Sequence, residues 1–289
     1  MHDLFHWLAR RSLRTLHVWG GWAGWLAYAL SPSYRRRLKA NTALAGLSGA
    51  DRRASIAEAG RLVFELPHLW LRPAEQPITD PLRWEGAELI EQQLGRPGGL
   101  LLLTPHMGSF EMAGQAVAER FGARQPVTVL YRPARQSWLR EMEETARARP
   151  GMATAPANLA GVRQMIRALR RGETVGLLPD QVPPDGQGVW APFFGKPAYT
   201  MTLAARLAQQ TGAAVLGVWC ERLPRGAGYV VRVSPLSTPL PQPGPDDAAL
   251  QLAAATAINR SMEALILAHP GQYLWGYHRY KRPRSVAVA

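Results

Sequence analysis

The chain has 289 residues, 47% of them hydrophobic, which suits one domain of generous size or one domain plus a helical appendage. Its 34 Lys and Arg outnumber 21 Asp and Glu for a formal net charge of +13, a field that attracts nucleic acid, anionic lipid, phosphorylated substrates or an acidic carrier protein without choosing among them. Cys220 is the single cysteine, which excludes an intrachain disulfide or a cysteine zinc cluster, and its apolar setting predicts a buried strand thiol.

Between Arg14 and Arg35 no acidic residue, Lys or Arg occurs, and the stretch borders on the length of a bilayer-spanning helix. Arg10, Arg11 and Arg14 precede it and Arg35, Arg36, Arg37 and Lys39 follow, so positive charge sets no orientation. Trp19, Trp22 and Trp25 suit a headgroup interface. The expectation is therefore residues 1–40 as a membrane-associated helical segment lying in the interface, ahead of a single span and of a cleaved signal peptide.

Residues 41–289 then form the expected catalytic domain. A helix is predicted from Asp51 to Leu66, with Asp51 as cap and Pro67 ending or kinking it, and another from Trp84 to Leu94. The apolar run from Gly98 to Thr104 has the mark of a strand buried on both faces. Helices follow at Ser109 to Phe121, Gln136 to Ala148, Leu159 to Arg171, Thr200 to Gln210 and Asp247 to Ala268. Strands are expected at Val127 to Tyr131, Thr174 to Leu178 and Ala213 to Cys220, with Tyr229 to Val233 able to pair with the last. This alternation predicts an α/β fold with a mostly parallel or mixed central sheet flanked by helices.

In Thr104-Pro105-His106-Met107-Gly108-Ser109-Phe110-Glu111 a buried strand ends, a glycine follows and a helix starts, which puts His106 where active sites of open α/β sheets collect. Glu111 lies five positions on, so the two meet only if His106 sits in the turn. Glu111 would then accept the Nδ1 proton and leave Nε2 as general base towards an alcohol. Ser109 lacks a Gly-x-Ser-x-Gly elbow and reads as a helix cap.

The apolar strand leading to His106-x-x-x-x-Glu111, Arg37 with Asn41, Tyr131-Arg132-Pro133, Pro179-Asp180-Gln181, Pro192-Phe193-Phe194-Gly195, Asn259-x-x-x-Glu263 and Gln272-Tyr273-Leu274-Trp275 before His278-Arg279-Tyr280-Lys281 together resemble the lipid A biosynthesis acyltransferases. The likeness runs over most of the chain. It implies a glycerolipid-acyltransferase-like fold with an amino-terminal membrane helix. It also implies an inner-membrane enzyme on the cytoplasmic face, an acyl carrier protein thioester as donor and a phosphorylated glucosamine disaccharide as acceptor. The same dyad would serve a glycerolipid or other glycolipid O-acyltransferase.

Arg132 and Asp180, both at strand ends, are expected to touch substrate, Arg132 at a phosphate or the oxyanion and Asp180 at hydroxyls or in a structural pair with an arginine. The resemblance adds Gln181. Arg279, Lys281, Arg282 and Arg284 read as a basic tail able to dock carrier protein or lipid phosphates, with a solvated tail as the alternative. Phe193-Phe194-Gly195 either walls an acyl channel or plugs the core. No nucleic-acid signature accompanies the charge, so the non-catalytic nucleic-acid-binding reading rests on charge alone. His2 and His6 have helical ligand spacing without a third ligand, and direct transfer from a thioester needs neither metal nor cofactor.

Overall fold

The computed structural model describes residues 2–73, 76–78, 81–131, 136–244 and 247–284. Four helices come first: α1 (His2–Ala9), α2 (Leu13–Leu30), α3 (Pro32–Leu44) and α4 (Gly49–Trp70). Ser31 separates α2 from α3, its hydroxyl accepting the Tyr34 amide at 3.3 Å while Pro32 starts the new helix. Ser48, not Asp51, caps α4, and the helix continues through Pro67 to Trp70.

The strands β1 (Leu82–Glu85), β2 (Leu100–Leu103), β3 (Val127–Tyr131), β4 (Met152–Pro156), β5 (Thr174–Leu177), β8 (Ala214–Arg222) and β9 (Tyr229–Pro235) form one sheet in the order β1-β9-β8-β2-β5-β3-β4. All neighbours are parallel except β8 and β9, whose expected pairing is antiparallel in sense. The mostly parallel, mixed α/β sheet is thus present, and β2 lies at its centre with all four leucines buried. Leu101 and Leu103 join the core with Val175, Leu177, Ile258 and Met262, while Leu100 and Leu102 join the opposite one with Met112, Ala116 and Phe121. Each such leucine contributes roughly 1.5–3 kcal/mol by burial, so the strand that carries the His106 turn is also among the most strongly held.

Helices α5 (Ala87–Glu91), α6 (Phe110–Phe121), α7 (Ser137–Arg147), α8 (Leu159–Arg170), α9 (Leu203–Thr211) and α10 (Ala248–Ala268) complete the layers. Two segments with a helical sequence pattern begin as strand instead. Trp84 lies in β1, because Gly86 at φ 76° breaks the expected helix into strand and short helix. Thr200 and Met201 belong to β7 (Lys196–Met201), which pairs antiparallel with β6 (Gly188–Phe193) through a Phe194-Gly195 turn with both φ positive.

Helices α2 and α4 pack backbone to backbone. A Cβ on Gly60 would stand 1.9 Å from the Gly20 carbonyl oxygen, and one on Gly24 would stand 2.2 Å from that of Ile56. The glycines that dilute the apolar stretch are therefore its packing face. Its other face leaves Trp22 78% exposed, with Val18, Trp19, Trp25, Leu26 and Leu30 also exposed. Among the described residues no helix is long and apolar enough to cross a membrane.

Candidate active site

Strands β2 and β5 pair with Leu103 opposite Leu177, and the Thr104 amide extends the ladder to the Leu177 carbonyl at 3.0 Å. Residues three beyond each strand end therefore arrive side by side, and they are His106 and Asp180. His106 Nδ1 lies 2.6 Å from Asp180 Oδ1, and the His106 amide donates to Oδ2 at 3.0 Å. One carboxylate fixes both the main chain and the ring. It also assigns the tautomer: Nδ1 carries the proton, so Nε2 presents a lone pair. Nε2 takes no hydrogen bond among the described residues, the ring is 18% exposed, and the edge of Phe110 packs 5.1 Å from it.

Asp180 is 1% exposed. Burial alone would raise its carboxyl, but the charge and hydrogen bonds of His106, with help from Arg279, outweigh that and hold it below its ordinary value. The Tyr273 hydroxyl lies close enough for burial, chiefly, and the Asp180 charge to push it well above the ordinary tyrosine range, so it stays a neutral phenol.

The turn itself is clamped. Gly108, at φ 57°, donates to the Gln272 carbonyl at 3.0 Å, and Ser109 donates to the Cys220 carbonyl at 2.8 Å. Leu274 donates to the His106 carbonyl at 3.1 Å, and Met107 bridges Tyr273. A Cβ on Gly108 would stand 2.0 Å from the Cys220 oxygen, so only glycine lets the turn close on β8. The Gln272-Tyr273-Leu274-Trp275 segment is thereby the outer wall of the His106 turn.

Beneath the turn lies a buried ionic cluster. Arg222 donates to Glu65 Oε2 and Oε1 at 2.8 and 2.7 Å, to Glu58 at 2.7 Å and to the Gly108 carbonyl at 3.1 Å. Glu65 also accepts from Tyr229 at 3.2 Å, and His17 of α2 lies 3.2 Å from the same oxygen. Burial would raise the Glu65 carboxyl, but Arg222 and then His17 bring it down to about 2.

Several expectations need correction. Glu111 is not the partner of Nδ1: it sits in the first turn of α6, accepting from Arg147 at 2.9 Å and Trp70 at 3.4 Å. Asp180 stands in that role, with the Arg279 charge also reaching it. Arg279 is no part of an exposed tail. It is 3% exposed and donates to the Tyr199 carbonyl and Thr200 hydroxyl, both at 2.7 Å, beside Asn259, so it braces the β6–β7 hairpin. Ser109 occupies the cap position of α6, yet its buried hydroxyl makes no capping bond. Phe193 is a core residue and Phe194 is half-buried, its amide held by Glu263 at 2.6 Å. Gln181 is half-buried in the turn beside Asp180, and Arg132 lies outside the described residues. The sequence pattern does not disclose Arg147 or the Arg222 cluster. The His106–Asp180 contact has a signal, the equal three-residue offset from two apolar strands, which becomes readable once those strands are known to be neighbours.

A sequence profile of the family described as bacterial lipid A biosynthesis acyltransferase matches residues 21–282, a span that holds the His106 turn, Asp180 and the carboxyl-terminal wall. The chain belongs to this family. It is 30% identical over 209 residues to the lipid A biosynthesis lauroyltransferase of Escherichia coli K12, a match covering 71% of this chain and 64% of that protein. The lipid A biosynthesis palmitoleoyltransferase of the same organism is 27% identical over 81% of this chain and 74% of its own length. Lipid A biosynthesis acyltransferase 2 of Shigella flexneri is 22% identical over 92% and 82%. As a lipid A acyltransferase family member the chain presents at its sheet edge a histidine with a fixed tautomer, an equipment suited to removing a proton from an alcohol.

Proposed function

We propose that the protein transfers a fatty acyl chain from an acyl carrier protein thioester to a hydroxyl of a phosphorylated lipid A precursor. His106 Nε2 takes the hydroxyl proton as the oxygen attacks the thioester carbonyl. The tetrahedral adduct collapses to an ester, the carbon–sulfur bond breaks, and the sulfur leaves with the proton returned from the imidazolium. No acyl-enzyme is needed. Asp180 holds the ring and offsets its transient charge. The observation that carries this proposal is the 2.6 Å contact between His106 Nδ1 and buried Asp180 at the carboxyl ends of adjacent strands.

Glu111 is retained as the second acidic member of the site. Its support is its place in the first turn of the helix leaving the His106 loop and its fixed pairing with Arg147 and Trp70. Arg132, one residue past β3, is retained as a substrate contact. The exposed tryptophan face of α2, flanked by arginines, would lie in the cytoplasmic leaflet of the inner membrane without spanning it. The excess positive charge suits an acidic carrier and anionic lipid.

The test is transfer from acyl carrier protein thioester to a lipid A precursor, with lysophospholipid as the competing acceptor. Wild type should acylate the precursor and His106→Ala should not. Acylation of lysophospholipid alone would move the protein to the glycerolipid enzymes, and near-wild-type activity of His106→Ala would remove the mechanism.

A further inference from the structure

Three cationic side chains and the His278 imidazole, from three separate segments, gather around the carboxyl-terminal segment that packs on the loop after Asp180. Arg37 stands on α3, its guanidinium tied to the Ser33 carbonyl at 3.1 Å and the Ser33 hydroxyl at 3.2 Å. Lys196 stands at the tip of the β6–β7 hairpin, its ammonium 5.0 Å above the Tyr280 ring. His278 and Lys281 come from the carboxyl-terminal segment, and the Lys281 ammonium lies 5.0 Å above the Tyr277 ring.

The fold holds these segments together at specific points. Asn41 of α3 donates to the carbonyls of Trp275 and Tyr277 at 2.7 and 2.9 Å. Tyr34 fills the space that a Cβ at Gly276 would need, 1.9 Å from its ring. Tyr280 donates to the Phe193 carbonyl at 2.8 Å, which anchors the tail to the hairpin. The Tyr277 hydroxyl accepts the Val182 amide at 3.0 Å, and Val182 follows Asp180 by two residues. The segment that carries His278 and Lys281 is therefore pinned to the loop that leaves the carboxylate orienting His106.

Among the described residues no carboxylate forms an ion pair with any of the four. Their mutual repulsion is felt at His278, whose imidazole is held below its ordinary value by burial first and then by Arg37, Lys281 and Lys196. Uncompensated cations held by aromatic rings and by Ser33 of α3 form a site for a compact, multiply charged anion, and a phosphate monoester offers the oxygens to satisfy several donors at once. An acidic carrier delivers its acyl group from a distance on a flexible arm. The molecule that brings its hydroxyl to Nε2, in contrast, must lie with its own body against the open side of the His106 ring.

We propose that Arg37, Lys196, His278 and Lys281 form the subsite that binds a phosphate monoester of the acyl acceptor and so sets which hydroxyl reaches His106. The proposal rests on the acyl-transfer function above, and its test has one arm that does not. In the first arm, two acceptors differing only in one phosphate monoester are compared by kcat/KM. Wild type should prefer the phosphorylated one by at least about tenfold, and Lys196→Met/Lys281→Met should bring the ratio to within about twofold of one. A ratio near one in wild type, a preference that survives in the double variant, or a rise confined to the KM of the carrier thioester would each overturn it. In the second arm, inorganic phosphate is titrated into the full chain while the His278 imidazole is followed by NMR. Phosphate should raise the His278 titration midpoint in wild type and not in the double variant. If wild type acylates nothing while phosphate still moves His278, the subsite stands and the transferase function falls. If phosphate moves neither protein, the subsite falls.

Discussion

Two buried acid–base contacts lie on either side of one turn, and they do different things. In the His106–Asp180 pair the carboxylate is sealed at 1% exposure but the imidazole keeps an 18% opening, with Nε2 unused. In the Glu65–Arg222 pair both side chains are sealed, and Arg222 spends its donors on two carboxylates and the Gly108 carbonyl. A site needs a group with one valence left over, whereas a brace needs none. The difference separates chemistry from architecture better than charge or burial does.

The largest effect should follow from breaking the first contact. His106→Ala should lower kcat by about 10²–10⁴ with the unfolding transition nearly unmoved, measured by steady-state transfer alongside calorimetry. Asp180→Asn should also lower kcat, because the amide no longer dictates which ring nitrogen carries the proton. Equal loss of stability and activity in either variant would make this pair a brace as well.

Breaking the second contact should do the reverse. Glu65→Gln leaves Arg222 buried without its main countercharge and should cost about 3–5 kcal/mol of stability, read by urea unfolding. Molecules that remain folded should turn over at close to the normal rate. The pH dependence has a defined sign. Glu65 is depressed from 4.5 to about 2, so its contribution is complete above pH 4.5 and is lost as pH falls towards 2, on the order of 3 kcal/mol in all. Wild type should lose stability across that window, and Glu65→Gln should lose less.

How far each region was legible follows from the same difference. The leucine run of β2, the glycine after His106 and the strand at Val127–Tyr131 are local patterns, and the structure places them where the pattern does. Asp180 was visible as a strand-end acid, but its partner depends on β2 and β5 being neighbours, a fact about the order of strands across 74 residues. Glu111 sits closer in sequence and misled for that reason: helix geometry turns it towards Arg147 and Trp70. The Arg222 cluster draws one residue each from α2 and β9, two from α4 and one from β8, and no spacing in the sequence brings those together. Arg279 looked like surface because it stands among basic residues, yet its guanidinium answers backbone and side-chain acceptors of the β6–β7 hairpin, itself hidden behind Pro192 and Pro197.

A middle-sized effect would test whether Glu111 belongs with the chemistry or with the brace. Arg147→Met removes its cationic partner while leaving the carboxylate, and Glu111→Gln does the opposite. If Glu111 serves the reaction, Glu111→Gln should lower kcat by about tenfold or more with a stability change under about 1 kcal/mol, while Arg147→Met should retain more activity. Matching losses of stability from both, with kcat intact, would assign the pair to structure.

The smallest expected effect is an absence of reaction, and it reports on the brace directly. Cys220 is fully buried in β8, its thiol pushed well above the ordinary range by burial and then by Glu65, while its carbonyl holds the Ser109 amide. Native protein at neutral pH should therefore resist iodoacetamide on a timescale that alkylates the unfolded chain. Labelling can proceed only when β8 opens, and opening β8 separates Arg222 from Glu65. Glu65→Gln should accordingly speed Cys220 modification and His106→Ala should leave it unchanged, measured by mass spectrometry of the intact chain. Faster labelling in both variants would mean that the turn and the brace open as one unit, and that the imidazole is held by the same free energy that holds the fold.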